Sequence, residues 1–403
     1  MATNKNWTNW RRQTLAVRGG QLRSPFQETS EALYLTAGYA YEGPEEAEER
    51  FKGAPGYTYT RYANPTISIF EERMALLEGA PVARSTASGM AAVTSTFMCC
   101  LKTGDHVVAA RALFGAIRYV IEDVLARFGV SSTIVDGTDL DAWRNALRPN
   151  TKLLFFETPS NPTLEIVDIA GVADIAHKAG ARLVVDNAFA SPALQRPMEF
   201  GADIVIHSST KYIDGQGRAM GGIILCKEDF LKDHLQIFLR NTGPCMSPFN
   251  AWVHLKSLET LDIRMREHSR NAVVVADFLA KERNVRRVLY PFREDGLNAA
   301  SNHPQVALAK KQMSAGGGVV TFEVTGGKKE AFKVAKALKL VDISNNLGDT
   351  KSLLTHPGTT THQRMTPEAR LAAGVTDGML RISVGLEDSA DICDDLAQAL
   401  AQI

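Results

Sequence analysis

DIVIHSSTKYIDGQGRAMGGIILC (203–226) sets two apolar, β-branched runs on either side of a polar loop that carries a lysine. Runs this short and this apolar read as buried strands. The form recurs upstream as DHVVAA (105–110), SSTIVD (131–136), KLLFFE (152–157) and RLVVDN (182–187). Helical spacing fills the intervals, as in IAGVADIAHKAG (169–180), TISIFEERMALLE (66–78) and SGMAAVTSTFMCCL (88–101), which opens on Ser88, a good N-cap residue. Strand and helix in alternation predict an α/β fold with a mainly parallel sheet and helices on both faces. Ligands of such sheets sit beyond the carboxyl ends of the strands.

The pattern changes on both sides of this region. Residues 1–62 read as an irregular arm. It holds an acidic, turn-rich stretch (EGPEEAEERFKGAPG, 42–56), followed by the aromatic and basic GYTYTRYANPT (56–66). With no sustained apolar period, the arm is expected to pack on the body or on a neighbouring subunit. Residues 63–258 form the expected large domain and 259–403 a smaller α+β domain. PFNAWVHLKSLETLDIRMREHSRNAVVVADFLAKE (248–282) reads as long helix across that division, and GGGVVTFEV (316–324) and MLRISVGLE (379–387) read as strands.

Bulk composition narrows the function classes. Among 403 residues, 45 Lys and Arg balance 45 Asp and Glu, so no basic field exists to attract nucleic acid or a membrane surface. The first twenty residues contain no apolar signal core, and no apolar run is long enough to span a bilayer. Five cysteines in no CxxC pair indicate neither a disulfide framework nor a zinc site. A cytoplasmic location is the expectation.

Polar residues follow directly on three of the strand-like runs: Asn161, Asp186, and the group Ser208, Thr210 and Lys211. A strand-end Asp commonly caps the next helix, yet it could also hold a protonated pyridine nitrogen. A lysine after a strand is commonly solvated; in a desolvated, cation-bearing site it becomes a nucleophile and proton shuttle. Ser208 and Thr210 offer hydroxyls suited to a phosphate, and the helix opening at Ser88-Gly89-Met90 offers backbone N–H groups for the same anion. The glycines of GQGRAMGG (215–222) are wrongly spaced for a dinucleotide fingerprint. Together these signals favour a Schiff-base lysine.

The set YTYTRYANPT (57–66), STASGMAA (85–92), ETPSNP (157–162), VVDNAFASP (184–192), HSSTKY (207–212) and LRISVGLED (380–388) resembles the pyridoxal-5′-phosphate (PLP)-dependent Cys/Met metabolism family over nearly the whole chain. The resemblance implies a fold-type I PLP transferase. Lys211 would carry the cofactor and move protons, and Asp186 would pair with its ring nitrogen. Gly89, Met90, Ser208 and Thr210 would hold its phosphate, with Tyr59 and Arg61 reaching in from another subunit. Asn161 would contact the cofactor oxygen or the substrate. Arg381 would clamp the amino-acid α-carboxylate, with Ser352 assisting. A homo-oligomer, at least a dimer and by family habit a tetramer, follows from the arm acting in trans.

One position departs from the family pattern. Where many members place a Tyr on the ring face, this chain has Phe114-Gly115. Phe114 can stack but has no hydroxyl to protonate a leaving group, so Tyr59 or Lys211 must serve, or the leaving group must depart unaided. A carboxylate ester does. The segment around Gln216-Gly217-Arg218 resembles the branch of the family that uses succinyl esters. The implied reaction is γ-replacement on O-succinyl-L-homoserine with sulfide, in methionine biosynthesis. Cysteine as the nucleophile comes next, then γ-lyase chemistry, and from another class a catalytically silent binding module. Arg118 and Arg218 are candidates for the succinyl carboxylate, against an ordinary surface role. His356 and His362 bracket a turn-like loop that either covers the site or lies on the surface.

Overall fold

The computed structural model describes residues 7–294 and 302–403. Residues 1–6 of the expected arm lie outside the described residues. Seven strands form the larger sheet: β1 (Val82–Thr86), β2 (His106–Ala110), β3 (Ser131–Val135), β4 (Thr151–Glu157), β5 (Arg182–Asp186), β6 (Ile204–His207) and β7 (Gly222–Cys226). Their spatial order is β1-β7-β6-β5-β4-β2-β3. The run from β6 to β3 is parallel, while β7 is antiparallel to both its neighbours. The four runs quoted upstream and the pair flanking the lysine loop account for six of these strands. β1, with Arg84 in its middle, has no continuous apolar signature.

Side-chain alternation splits the sheet into two cores. Val184, Ile204, Ile206 and Phe155 face the Gly89–Cys100 helix, packing with Val93 and Phe97. Leu183, Val185 and Val205 face the other way, toward Phe70 and Met74 of the Pro65–Glu78 helix. Both helices start where their caps dictate. The Asn64 carboxamide accepts from Thr66 N–H, and the Ser88 hydroxyl accepts from Ala91 N–H. Nearly continuous apolar strands are what a sheet covered on both faces requires.

The second sheet comprises β8 (Val285–Leu289), β9 (Val319–Val324), β10 (Asp342–Ile343), β11 (Leu353–Thr355) and β12 (Met379–Ser383), in the order β10-β11-β12-β9-β8. The helical stretch before it is not one long helix. It breaks into Pro248–Leu258 and Leu261–Leu279. Arg264 holds that corner, donating to Ser257 O at 2.9 Å and to Tyr212 O at 2.6 Å. A straight helix would carry its guanidinium away from both.

The arm is tied to the body. Leu15 and Ala16 of the Arg12–Arg18 helix join the main core. Glu31 accepts from buried Arg73 at 2.5 Å and from Lys256 at 3.1 Å. Removing one partner of such a buried pair costs about 3–5 kcal/mol. The Pro44–Phe51 helix, by contrast, buries none of its residues.

Candidate active site

β4, β5 and β6 end side by side, and their following loops wall a cavity of about 270 Å³. Gly89 and Met90 face these loops, Phe114 and Ile117 form another wall, and Asn345, Leu347 and Arg381 close it from the second sheet. Asn161, Asp186, Ser208, Thr210 and Lys211 all line it. Two glycines permit the approach. A Cβ on Gly89 would lie 2.7 Å from Ser208 Cβ, so the helix start could not sit on the lysine loop with any larger residue. Gly348 has φ near +78°, and a Cβ there would meet Tyr212 N at 2.6 Å. That contact seats the loop bearing Asn345 to Leu347 against Lys211.

Lys211 Nζ donates to Asn346 Oδ1 at 2.6 Å. Burial, and then the Arg381 charge, pull its pKa from the ordinary lysine range down to about 8. A substantial fraction of the amine is therefore neutral and nucleophilic near physiological pH. Asp186 stands at the end of β5 with its carboxylate accepting from Ala188 N–H at 2.9 Å, and burial pushes its pKa up to about 6. Its register partner on β4 is Glu157, on the same face of the sheet. Glu157 accepts from Phe114 N–H at 2.6 Å and from Asn161 N–H at 3.4 Å. Burial and then the Asp186 charge hold the Glu157 carboxyl well above its usual range. Two adjacent buried carboxyls favour a single charge between them. A cationic ring nitrogen on Asp186 would take up that charge.

Arg381 is 1% exposed. Its guanidinium donates to Asn161 Oδ1 at 2.9 Å and to the carbonyls of Asn345 and Asn346 at 3.0 and 3.2 Å, while Nε has no hydrogen-bond partner among the described residues. No carboxylate of the described residues pairs with it, and burial lowers its pKa to about 10. A buried cation left without a counter-charge is a seat for an anionic ligand.

Other residues singled out in the sequence lie elsewhere. Ser352 does not line the cavity; its hydroxyl donates to Glu387 at 2.9 Å and accepts from Gly385 N–H at 2.9 Å. The residue beside Lys211 and Arg381 is Asn346, which sequence reasoning passed over, as it did Glu157. A larger chamber adjoins this cavity across Phe114, Asn345 and Thr361, and Arg218 lines neither; Asp214 and Ser257 hold its guanidinium. Arg118 lies in the outer chamber, forked onto Glu122 at 2.7 and 3.1 Å. The loop between His356 and His362 does cover the site, since its Thr361 lines the cavity. His356 is spent on Thr359 and on Asp377 O, and burial lowers the pKa of His362 to about 4. Tyr59, 43% exposed, and Arg61 do not line the cavity of their own chain. The Arg61 guanidinium stacks 4.9 Å from the Tyr62 ring and reaches Arg240 O.

Residues 13–401 match the family described as Cys/Met metabolism PLP-dependent enzyme. The chain belongs to this family. It is 51% identical over 393 residues to an O-succinylhomoserine sulfhydrylase of Mycobacterium tuberculosis, covering 96% of this chain and 95% of the other. The corresponding protein of Pseudomonas aeruginosa is 48% identical over 391 residues, with 97% and 95% covered. An L-methionine γ-lyase of Porphyromonas gingivalis is 41% identical over 390 residues, with 96% of each chain covered. Among solved structures, metB of Corynebacterium glutamicum superposes with a TM-score of 0.91 at 36% identity, covering 99% of this chain and all of that one. A Campylobacter jejuni chain, a candidate O-acetylhomoserine (thiol)-lyase, also gives 0.91, at 32% identity with 97% and 100% covered, and contains a pyridoxyl-lysine phosphate. The fold is therefore fold-type I, and the protein is a PLP-dependent enzyme. Its cavity fits that cofactor: a glycine-lined helix start for a phosphate, a buried carboxyl pair for a cationic ring, and an amine of lowered pKa.

Proposed function

We propose that the enzyme catalyses γ-replacement on O-succinyl-L-homoserine with sulfide, giving L-homocysteine and succinate. Arg381 is the observation that carries this reading, because a buried, unmatched guanidinium beside a near-neutral lysine suits an amino-acid carboxylate held next to its reacting carbon. The roughly 50% identity to succinyl-ester sulfhydrylases supports the choice of ester.

Lys211 would carry the cofactor, with Asp186 at the ring nitrogen and Phe114 on the ring face. Gly89, Met90, Ser208 and Thr210 would take its phosphate, and Asn161 its edge. Bound there, the cofactor supplies a sink for negative charge at the substrate α-carbon. The Lys211 amine would take a proton from the substrate Cα, and its lowered pKa suits it to give that proton back. Arg381 fixes the α-carboxylate and so aims Cα at Nζ. A second proton leaves Cβ, the Cγ–O bond breaks, and succinate departs as a carboxylate that needs no acid, consistent with a phenyl ring at position 114. Sulfide then bonds to Cγ and the protons return to Cβ and Cα. Tyr59 and Arg61 would complete the phosphate site of a second copy, making a dimer the smallest active unit and a tetramer the expected assembly. A cytoplasmic setting suits this chemistry. No helix among the described residues is long and apolar enough to cross a membrane.

The test is to supply PLP-loaded protein with O-succinyl-L-homoserine and either sulfide or cysteine, and to identify the products. Homocysteine and succinate are expected from sulfide. Cystathionine as the dominant product when both nucleophiles compete, or 2-oxobutyrate as the dominant product with sulfide present, would overturn the assignment.

A further inference from the structure

Past Phe114, Asn345 and Thr361, the cofactor cavity opens into a chamber of about 970 Å³. The proposed substrate has to extend into it. Seven bonds separate Cα of a succinyl ester from its distal carboxyl carbon. An extended chain advances 3.3–3.6 Å per three bonds, so the distal acid lies about 8 Å from Cα. With the α-carboxylate at Arg381, that acid passes the doorway. A carboxylate drawn from water needs a cation or several donors where it comes to rest.

Two guanidiniums line the chamber. Arg118 is already neutralised, with two of its nitrogens on the two oxygens of Glu122 one helical turn away. Arg364, on the loop after β11, has no hydrogen-bond or ion-pair partner among the described residues. Its loop is nonetheless held. His356 braces Thr359 and Asp377 O, Thr355 and Thr360 share a 2.9 Å hydrogen bond, and Arg370 donates to Gly358 O at 2.8 Å. The backbone is thus placed while the guanidinium is left free. The remaining acid of the chamber, Asp123, stands on the helical wall beside Glu122 with no ion-pair partner among the described residues. Its charge disfavours a second carboxylate on that wall and leaves the loop side for it.

We propose that Arg364 receives the distal carboxylate of the departing acyl group, and that it selects a dicarboxylic half-ester over a simple acetyl ester. The inference rests on the γ-replacement reading above. The experiment uses Arg364→Gln and Arg364→Lys in the PLP-loaded enzyme. Turnover is measured with O-succinyl- and O-acetyl-L-homoserine, and succinate binding is measured directly by calorimetry. In Arg364→Gln, KM for the succinyl ester rises about tenfold or more, the scale of one charge-assisted pair. Succinate binding weakens in parallel, the acetyl ester is unaffected, and Arg364→Lys recovers part of the loss. An unchanged succinyl-to-acetyl ratio together with unchanged succinate affinity overturns the proposal, as does a shift of that ratio by Arg118→Gln alone. Wild-type protein that turns over neither ester overturns the γ-replacement reading itself. Succinate binding that depends on Arg364 would still stand in that case as a dicarboxylate site.

Discussion

The cofactor cavity and the chamber outside it share three wall residues but follow opposite rules. Inside, every ionisable group is buried and displaced from its ordinary pKa: Lys211 and Arg381 downward, Asp186 and Glu157 upward. These groups stand within strands or just beyond their ends, where backbone hydrogen bonding fixes them. Outside, Glu122, Asp123 and Arg364 are exposed and stand on a helix and a loop. Low dielectric makes a charge reactive, and the same charge in water is useful mainly for recognition. Substitutions in the inner cavity should therefore change the chemistry, and those in the chamber should change only what binds.

The sharpest break is expected at Lys211. Lys211→Ala removes both the attachment point and the acid–base group, whose second role alone is worth about 10²–10⁴-fold. Turnover should vanish, and the purified protein should lack the cofactor's visible absorbance. Retained turnover in that variant would show that the inner cavity does not house the chemistry. Arg381→Lys is expected to come next. It loses the fork and the bonds to Asn161 Oδ1 and the Asn345 carbonyl, at about 2–5 kcal/mol for a buried charge pair with substrate. kcat/KM should fall on the order of 10²-fold or more, most of it in KM. A fall confined to kcat would relocate the α-carboxylate.

A pH measurement sharpens the comparison further. Only the neutral amine of Lys211 attacks an aldehyde, and its pKa is about 8 where an ordinary lysine stands near 10.5. The neutral fraction grows as pH rises toward 8. The rate at which apoprotein takes up PLP should therefore climb to about pH 8 and level off above it. A rise continuing past pH 10 would mean that burial does not act on this amine. The linkage has the matching sign. The unfolded chain binds more protons between pH 8 and 10.5, so this group makes the apoprotein more stable as pH rises through that window.

How far the sequence revealed these features depends on what kind of signal each one leaves. Strands of a sheet covered on both faces leave a continuous apolar run, so six of the seven strands of the larger sheet, and the polar residues that follow three of them, were legible. β1 was not, because Arg84 at its centre interrupts the run. The corner at 259–260 was missed for a different reason: it is held by Arg264 reaching back to Ser257 and Tyr212, a tertiary contact with no local signature. Ser352 and Asn346 show the same limit within the site. Both lie on the stretch leading into β11, and only the left-handed turn at Gly348 decides that Asn346 meets Lys211 while Ser352 turns to Glu387. Glu157 was legible as the end of β4 but not as the neighbour of Asp186, since strand order is not written in either strand.

The smallest effect is expected at Arg118, which tests the outer rule from its dull side. Its fork onto Glu122 is a partly exposed pair one helical turn apart, with side chains 22% and 37% exposed. Pairs of this kind contribute about 0.3–0.5 kcal/mol, and salt screens them. Arg118→Ala should lower Tm by roughly 1 °C, and less at high ionic strength. It should also leave the cofactor's absorbance unchanged, because no residue of the inner cavity depends on it. Steady-state KM for the succinyl ester should move little, and any change should be a slight weakening from the freed charge of Glu122 rather than the loss of a contact. A large rise in KM for the succinyl ester but not the acetyl ester would contradict this. It would mean that the substrate displaces Glu122 from Arg118, and that a guanidinium already paired in the free enzyme can still serve as the acid's receptor.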